Sequence, residues 1–112
     1  MKPALLRPQA LADLQAEVRY YRREVGRSVS ERLVKAATQA LKQIEQQPAM
    51  GSPVLGKQLE LKGLRTWRIK DYPLLWCYFE RPEALDVVRL LGERQNLPAL
   101  LAMLPGADLD LD

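Results

Sequence analysis

Near residue 48 the hydrophobic repeat of this chain changes its period, and that switch constrains the fold more than any other feature of the sequence. Before it, apolar residues recur at helical spacing. Leu11, Leu14, Val18, Tyr21 and Val25 share one helix face, in a run that begins at Gln9 and is ended by Gly26. Ser28 and Glu31 match a capping box and predict the start of a second helix, whose apolar face is Val29, Leu33, Ala36, Ala37, Ala40, Leu41 and Ile44. Pro48 stops it. So short a connection makes the two helices antiparallel neighbours, and the alanines permit close approach. After residues 48–63, rich in Pro and Gly, the chain reads as strands: LRTWRIK (64–70), PLLWCYF (73–79) and LDVVRLL (85–91) predict an antiparallel meander. Residues 3–7 add a short first strand closed by Pro8. Helices followed by strands give an α+β fold, with a helical hairpin packed on a small antiparallel sheet. Strands apolar on both faces require two covers. The hairpin supplies one; the segment 97–104 or a partner protein supplies the other.

Composition removes several function classes. The 112 residues suit one domain, read here as 1–104, followed by an acidic tail over 105–112. There is no histidine, which excludes the usual zinc sites, Ser-His and Cys-His nucleophile pairs and imidazole acid–base catalysis. Cys77 is the single cysteine and sits in an apolar strand, so it is expected to be a buried, inert thiol. No Gly-rich phosphate loop occurs, and no cofactor is expected. Asp108, Asp110 and Asp112 resemble half a calcium loop that lacks its glycine and distal glutamate, and are read as a frayed acidic end. MKPALLRPQ offers too short an apolar run for a signal peptide, and no stretch nears the roughly 18 apolar residues of a membrane span. A cytoplasmic location is expected, with no membrane partner.

Charge is unevenly spread. Residues 1–71 hold 14 Lys and Arg against 7 Asp and Glu, whereas residues 72–112 hold 3 against 7. A basic region of this kind attracts nucleic acid or an acidic partner, or simply solvates long helices. Arg65, Arg68 and Lys70 flank Trp67 on the first meander strand, and Arg89 and Arg94 lie on and after the third. Alternation places Arg65 with Trp67 on one face and Arg68 with Lys70 on the other. Arginine beside an aromatic ring suits phosphate binding, base stacking or an acidic protein interface, as well as structural ion pairing.

The order of these motifs resembles the RelE/ParE toxins of bacterial toxin–antitoxin pairs. LRPQALADL (6–14) is similar to the family's opening strand–helix junction, and Pro48 with Gly51 to the turn after its hairpin. LKGLRTWRIKDY (61–72) resembles the arginine-bearing strand, and LDVVRLLGERQNLPALL (85–101) the closing strand and final helix. The resemblance runs from about residue 4 to about 101 and implies an N-terminal strand, a helical hairpin, a small antiparallel sheet and a short C-terminal helix. ParE-type members often carry histidine where Gly92 stands and aspartate where Gln95 stands, two departures in this chain. The long hairpin is ParE-like. RelE-like ribosome-dependent endoribonucleases often use a C-terminal tyrosine, and no Lys, Arg, His or Tyr follows Arg94 here.

The resemblance therefore implies a toxin that performs no bond chemistry: it would hold DNA gyrase in its cleavage complex, block replication and be neutralised by a cognate ParD-like antitoxin. Operator DNA would be met only through that antitoxin. Arg65, Trp67, Arg68, Arg89 and Arg94 are the expected contacts with antitoxin or target. The alternatives are an mRNA endoribonuclease of the RelE type, with Arg65, Arg68, Lys70 and Arg89 around the reacting phosphate, or a non-toxic co-repressor module.

Overall fold

The computed structural model describes residues 1–104, so the acidic tail expected over 105–112, with Asp108, Asp110 and Asp112, lies outside the described residues. The chain runs β1 (Ala4–Leu6), α1 (Pro8–Glu24), α2 (Arg27–Gln46), a 3-10 turn (Pro48–Met50), α3 (Val54–Gln58), β2 (Arg65–Arg68), β3 (Leu74–Glu80), β4 (Leu85–Gly92) and α4 (Leu97–Ala102). This is the α+β architecture that the period switch requires.

Pro8 opens α1 with a φ already suited to a helix and no amide to waste. At its other end the amides of Val25 and Gly26 both donate to Tyr21 O at 2.9 Å. Gly26 then takes a φ of +135°, which reverses the chain into α2. The expected capping box does not form. Gly26 is itself the N-cap of α2 and no side chain caps the helix, because the reversal starts the helix at Arg27 and carries Ser28 inside the first turn. Ser30 Oγ instead donates to Arg27 O at 2.8 Å.

The buried face of α2 agrees with its spacing, since Leu33, Ala37, Ala40 and Ile44 are all buried. Those alanines let the sheet come close enough for Trp76 Nε1 to donate to Ala37 O at 3.2 Å. On α1 the face is rotated from expectation. Ala10 is buried and Leu14, Val18 and Tyr21 pack on the core, while Leu11 and Val25 are exposed at 47% and 57%. The small Ala10 brings this helix onto the sheet, one residue before the leucine that the pattern suggested.

Strand order in the sheet is β1-β4-β3-β2, with β1 parallel to β4 and the other pairs antiparallel. The meander is as predicted; the N-terminal strand joins it on the far edge. Both faces are covered. Ile69, Leu74, Trp76, Tyr78, Leu85, Val87 and Leu90 meet the hairpin. Leu64, Cys77, Phe79, Val88 and Leu91 meet Leu101 and Leu104, with Leu55 and Leu59 of the α3 region alongside. The second cover is thus the segment 97–104 together with a short helix inside the turn-rich stretch, where Gly and Pro concealed it.

A pair of arginines ties β1 to β4. Asp86 accepts from Arg7 Nε at 3.0 Å and Nη2 at 2.8 Å, and from Arg81 Nη2 at 3.0 Å. Burial by itself would raise the Asp86 carboxyl, but the hydrogen bonds and charges of Arg7 and Arg81 outweigh it and hold the group below its ordinary value. A depressed folded-state value contributes stability that is present at neutral pH and lost as pH falls through the carboxylate range. The melting-temperature gap between wild type and Asp86→Asn is therefore expected to narrow between neutral and acid pH. A gap that stays constant would show that Asp86 carries no such linkage.

Candidate functional site

β2 is an edge strand whose inward bonds go to β3 in the register Arg65↔Tyr78 and Trp67↔Trp76. On its outer edge the amide and carbonyl of Thr66 pair with Ser52 at 3.0 and 2.9 Å. Trp67 is half-buried and packs on the hairpin-side core, with the same parity as Arg65. Arg65 is half-buried too, and its Nη1 donates to Gly51 O at 2.7 Å. Arg68 is exposed and pairs through Nε with Glu93 Oε1. Because Arg68 lies opposite Leu75 and Leu74 opposite Gly92, the end of β2 and the exit of β4 share one end of the sheet. There Arg94 stands exposed beside Glu93, with no hydrogen bond or ion pair to the described residues. Gly92 N donates to Gln95 Oε1 at 2.6 Å and Gln95 N to Gly92 O at 3.1 Å, so the two positions that depart from the ParE pattern hold each other in this turn.

Arg89 is placed apart from the other four. β4 is irregular between the pairs Cys77↔Arg89 and Tyr78↔Val87, which leaves Val88 as the extra residue of a bulge. The bulge lets Val87 and Leu90 both face the hairpin while Val88 and Leu91 face α4. β1 ends opposite Val87, so beyond it the edge of β4 is covered by α1. Asp13 fills the role of a strand partner there: it accepts from Arg89 Nε at 2.7 Å, Arg89 Nη2 at 3.1 Å and Leu90 N at 3.0 Å. The side chains of Arg89 and Asp13 are only 18% and 12% exposed. The hydrogen bond to Asp13 raises the Arg89 guanidinium above its ordinary value against the opposing effect of burial. Asp13 is the partner of Arg89 that sequence reasoning missed, although it is the single acidic residue before Glu17 and lies in a run of apolar residues.

The two tyrosines of the strand region are engaged in the fold. Tyr72 donates to Val29 O at 3.0 Å and Tyr78 to Pro48 O at 2.6 Å. Burial pushes the Tyr78 phenol up, and nearby Arg65 offsets this only in part. Burial likewise pushes the Cys77 thiol up to about 12, the inert state expected of it. Two open grooves flank the sheet. One of about 480 Å³ beside Arg65 carries Lys57, Leu61 and Lys62. The other, of about 490 Å³, lies between the start of α1 and α4, and is lined by Arg7, Arg89, Leu100 and Met103.

This architecture coincides with a known family. The family described as "ParE toxin of type II toxin-antitoxin system, parDE" matches residues 4–97. The chain belongs to the ParE toxin family. Among curated proteins none matches this ParE-family toxin. A solved structure titled "Chromosomal ParDE TA system from P. aeruginosa" superposes with a TM-score of 0.70 at 20% identity, covering 82% of this chain and 96% of that one. At that identity the likeness bears on the fold, which is the ParE fold implied by the ordered motifs. No helix of the described residues is long and apolar enough to cross a membrane.

Proposed function

We propose that this ParE-family toxin poisons DNA gyrase by stabilising its cleavage complex, acts by binding and not by bond chemistry, and is neutralised by a ParD-like antitoxin in the cytoplasm. The observation that carries the reading is the family match across residues 4–97. The commitment of Tyr72 and Tyr78 to backbone carbonyls supports it, because an RNA-cleaving site among the strand arginines would need a free proton acceptor. Arg68, Arg94 and Trp67 form the contact surface at the open end of the sheet. Arg65 shapes its margin through Gly51, and Arg89 contributes from the groove beside α4. That groove, lined by Leu100, Met103 and the stems of Arg7 and Arg89, whose charges Asp86 and Asp13 already pair, suits the apolar part of an antitoxin segment.

A plasmid assay with purified toxin, gyrase and ATP, quenched with detergent and protease, tests the target. Linear plasmid is expected to accumulate and to vanish when antitoxin is added. Normally supercoiled plasmid at every dose would sink the gyrase reading and direct attention to mRNA cleavage on ribosomes or to a non-toxic co-repressor. Trp67→Ala is expected to weaken antitoxin or gyrase binding by about 2 kcal/mol, roughly 30-fold in Kd, as befits an aromatic anchor. Titration calorimetry against each partner measures this, and unchanged affinity for both would remove Trp67 from the surface.

A further inference from the structure

The tip of the helical hairpin carries a cationic surface that none of the strand arginines shares. Between residues 19 and 35 stand six cations, Arg19, Arg22, Arg23, Arg27, Arg32 and Lys35, against two acids, Glu24 and Glu31. All of them are exposed. Among the described residues the ion pair in this set is Arg23 with Glu24 at 3.1 Å, with side chains 69% and 51% exposed, so solvent leaves its charges largely uncompensated. Arg19, Arg22 and Arg23 follow at i, i+3 and i+4, with Arg19 and Arg23 on the side of α1 away from Ala10, Leu14 and Val18, and Arg22 at the margin beside Val18. Arg22 and Arg27 line one shallow groove between the helices, which joins the patch across the hairpin.

The residue types point to phosphate. Five of the six cations are arginine, whose planar fork matches phosphate oxygens in pairs. Arg27 is the first residue of α2, and no acid occupies that helix's first turn. A cation there opposes the positive end of the helix, an arrangement unfavourable to the isolated fold that a polyanion relieves. The charges spread over two helices, as a line of phosphates requires and a single anion does not. An acidic peptide finds a poor seat at the groove of Arg22 and Arg27, which measures about 270 Å³ and is also lined by Glu31.

We infer that the α1–α2 tip binds the phosphate backbone of duplex DNA through Arg19, Arg22, Arg23 and Arg27, while the sheet end engages protein. The choice of DNA rests on the gyrase reading, since a cleavage complex presents a duplex beside the enzyme.

Fluorescence anisotropy of a short labelled duplex with the full-length toxin, without gyrase, tests this. Four neutralised phosphates give a slope of about −3.6 in log affinity against log salt, so binding falls by roughly 100-fold between about 50 and 200 mM salt. The variant Arg22→Glu/Arg23→Glu/Arg27→Glu is expected to lose at least about 10-fold in affinity. Lys42→Glu/Lys57→Glu/Lys62→Glu, which changes net charge equally, is expected to stay near wild type if circular dichroism shows both variants folded. Equal losses in the two variants, no DNA binding by wild type, or binding to a polyglutamate peptide in place of DNA would each overturn the assignment. Poisoning of gyrase without DNA binding removes the tip and leaves the target intact. DNA binding with normally supercoiled plasmid removes the target and leaves the tip.

Discussion

Replacing Asp13 with alanine is expected to cost about 3–5 kcal/mol of folding stability, the range for removing one member of a buried ion pair. The loss has two parts. Arg89 is left largely buried with its charge uncompensated, and Leu90 N–H loses its acceptor within a strand residue only 3% exposed. For a domain of this size a melting temperature lower by on the order of 15–25 °C follows. Asp13→Asn retains an oxygen acceptor but not the charge, and should lose less. The double substitution Asp13→Leu/Arg89→Met removes both charges for apolar volume and is expected to recover the charge part of the loss only, because Leu90 N–H still lacks its acceptor. Urea melts of the set measure this. A loss below about 1 kcal/mol for Asp13→Ala would mean that Arg89 finds solvent or another partner, and that the pair does not anchor α1 to β4. The same series separates two roles for Arg89. If Arg89→Ala reduces antitoxin affinity only as far as it reduces the folded population, its role is to hold α1 on β4, not to touch a partner.

Gly51→Ala is expected to cost about 3 kcal/mol, a large effect for one methyl group. A Cβ at Gly51 would overlap the Tyr78 hydroxyl and lie 2.8 Å from its ring carbon Cζ. The ring is fully buried among Trp76, Ile44 and Ile69 and has no space into which to withdraw. Overpacking a core of native density costs about 1–3 kcal/mol. Displacing the hydroxyl from Pro48 O leaves a buried polar group unsatisfied, for about 1–3 kcal/mol more. Tyr78→Phe in the Gly51→Ala background removes the overlapping oxygen and is expected to restore part of the loss, the ring-carbon contact remaining. Thermal denaturation of the single and double variants decides it. A Gly51→Ala protein within about 0.5 kcal/mol of wild type would show that the turn shifts freely and that Tyr78 does not fix it.

Both effects arise from pairs that sequence periodicity does not display. Asp13 and Arg89 are separated by 76 residues, and Tyr78 reaches back 30 residues to Pro48. The pattern did reveal elements whose apolar residues obey one period. α2 repeats every three to four residues along its whole length, and β3 alternates cleanly, with Leu74, Trp76 and Tyr78 toward the hairpin and Cys77 and Phe79 toward α4. β4 was legible as a strand but not as a bulged one. Its doublets Val87–Val88 and Leu90–Leu91 around Arg89 look apolar on every side, and the bulge is what sorts them. α3 was hidden because Pro53 and Gly56 read as turn punctuation, although Gly56 is buried against Leu61 and Leu64 where a side chain would not fit. The capping box failed because Gly26 reversed the chain first. Among the strand arginines, residue type and strand position singled out Arg65, Arg68, Arg89 and Arg94 alike, without placing Arg68 and Arg94 together at one end of the sheet. Neither told that Arg89 would be claimed by α1.

The parallel pairing of β1 with β4 joins two strands about 80 residues apart, the first and last among the described residues. Ala4, Leu5 and Leu6 find their register only opposite Leu85, Asp86 and Val87. On the ribosome, β1 therefore waits unpaired until residues 85–87 have been made, and the edge of β4 stays open until the strand docks. Such non-local closure is intrinsically slow to form. The completed sheet, and with it the face proposed to meet a partner, becomes available only after that late pairing. An antitoxin that recognises this face has to wait for the same closure.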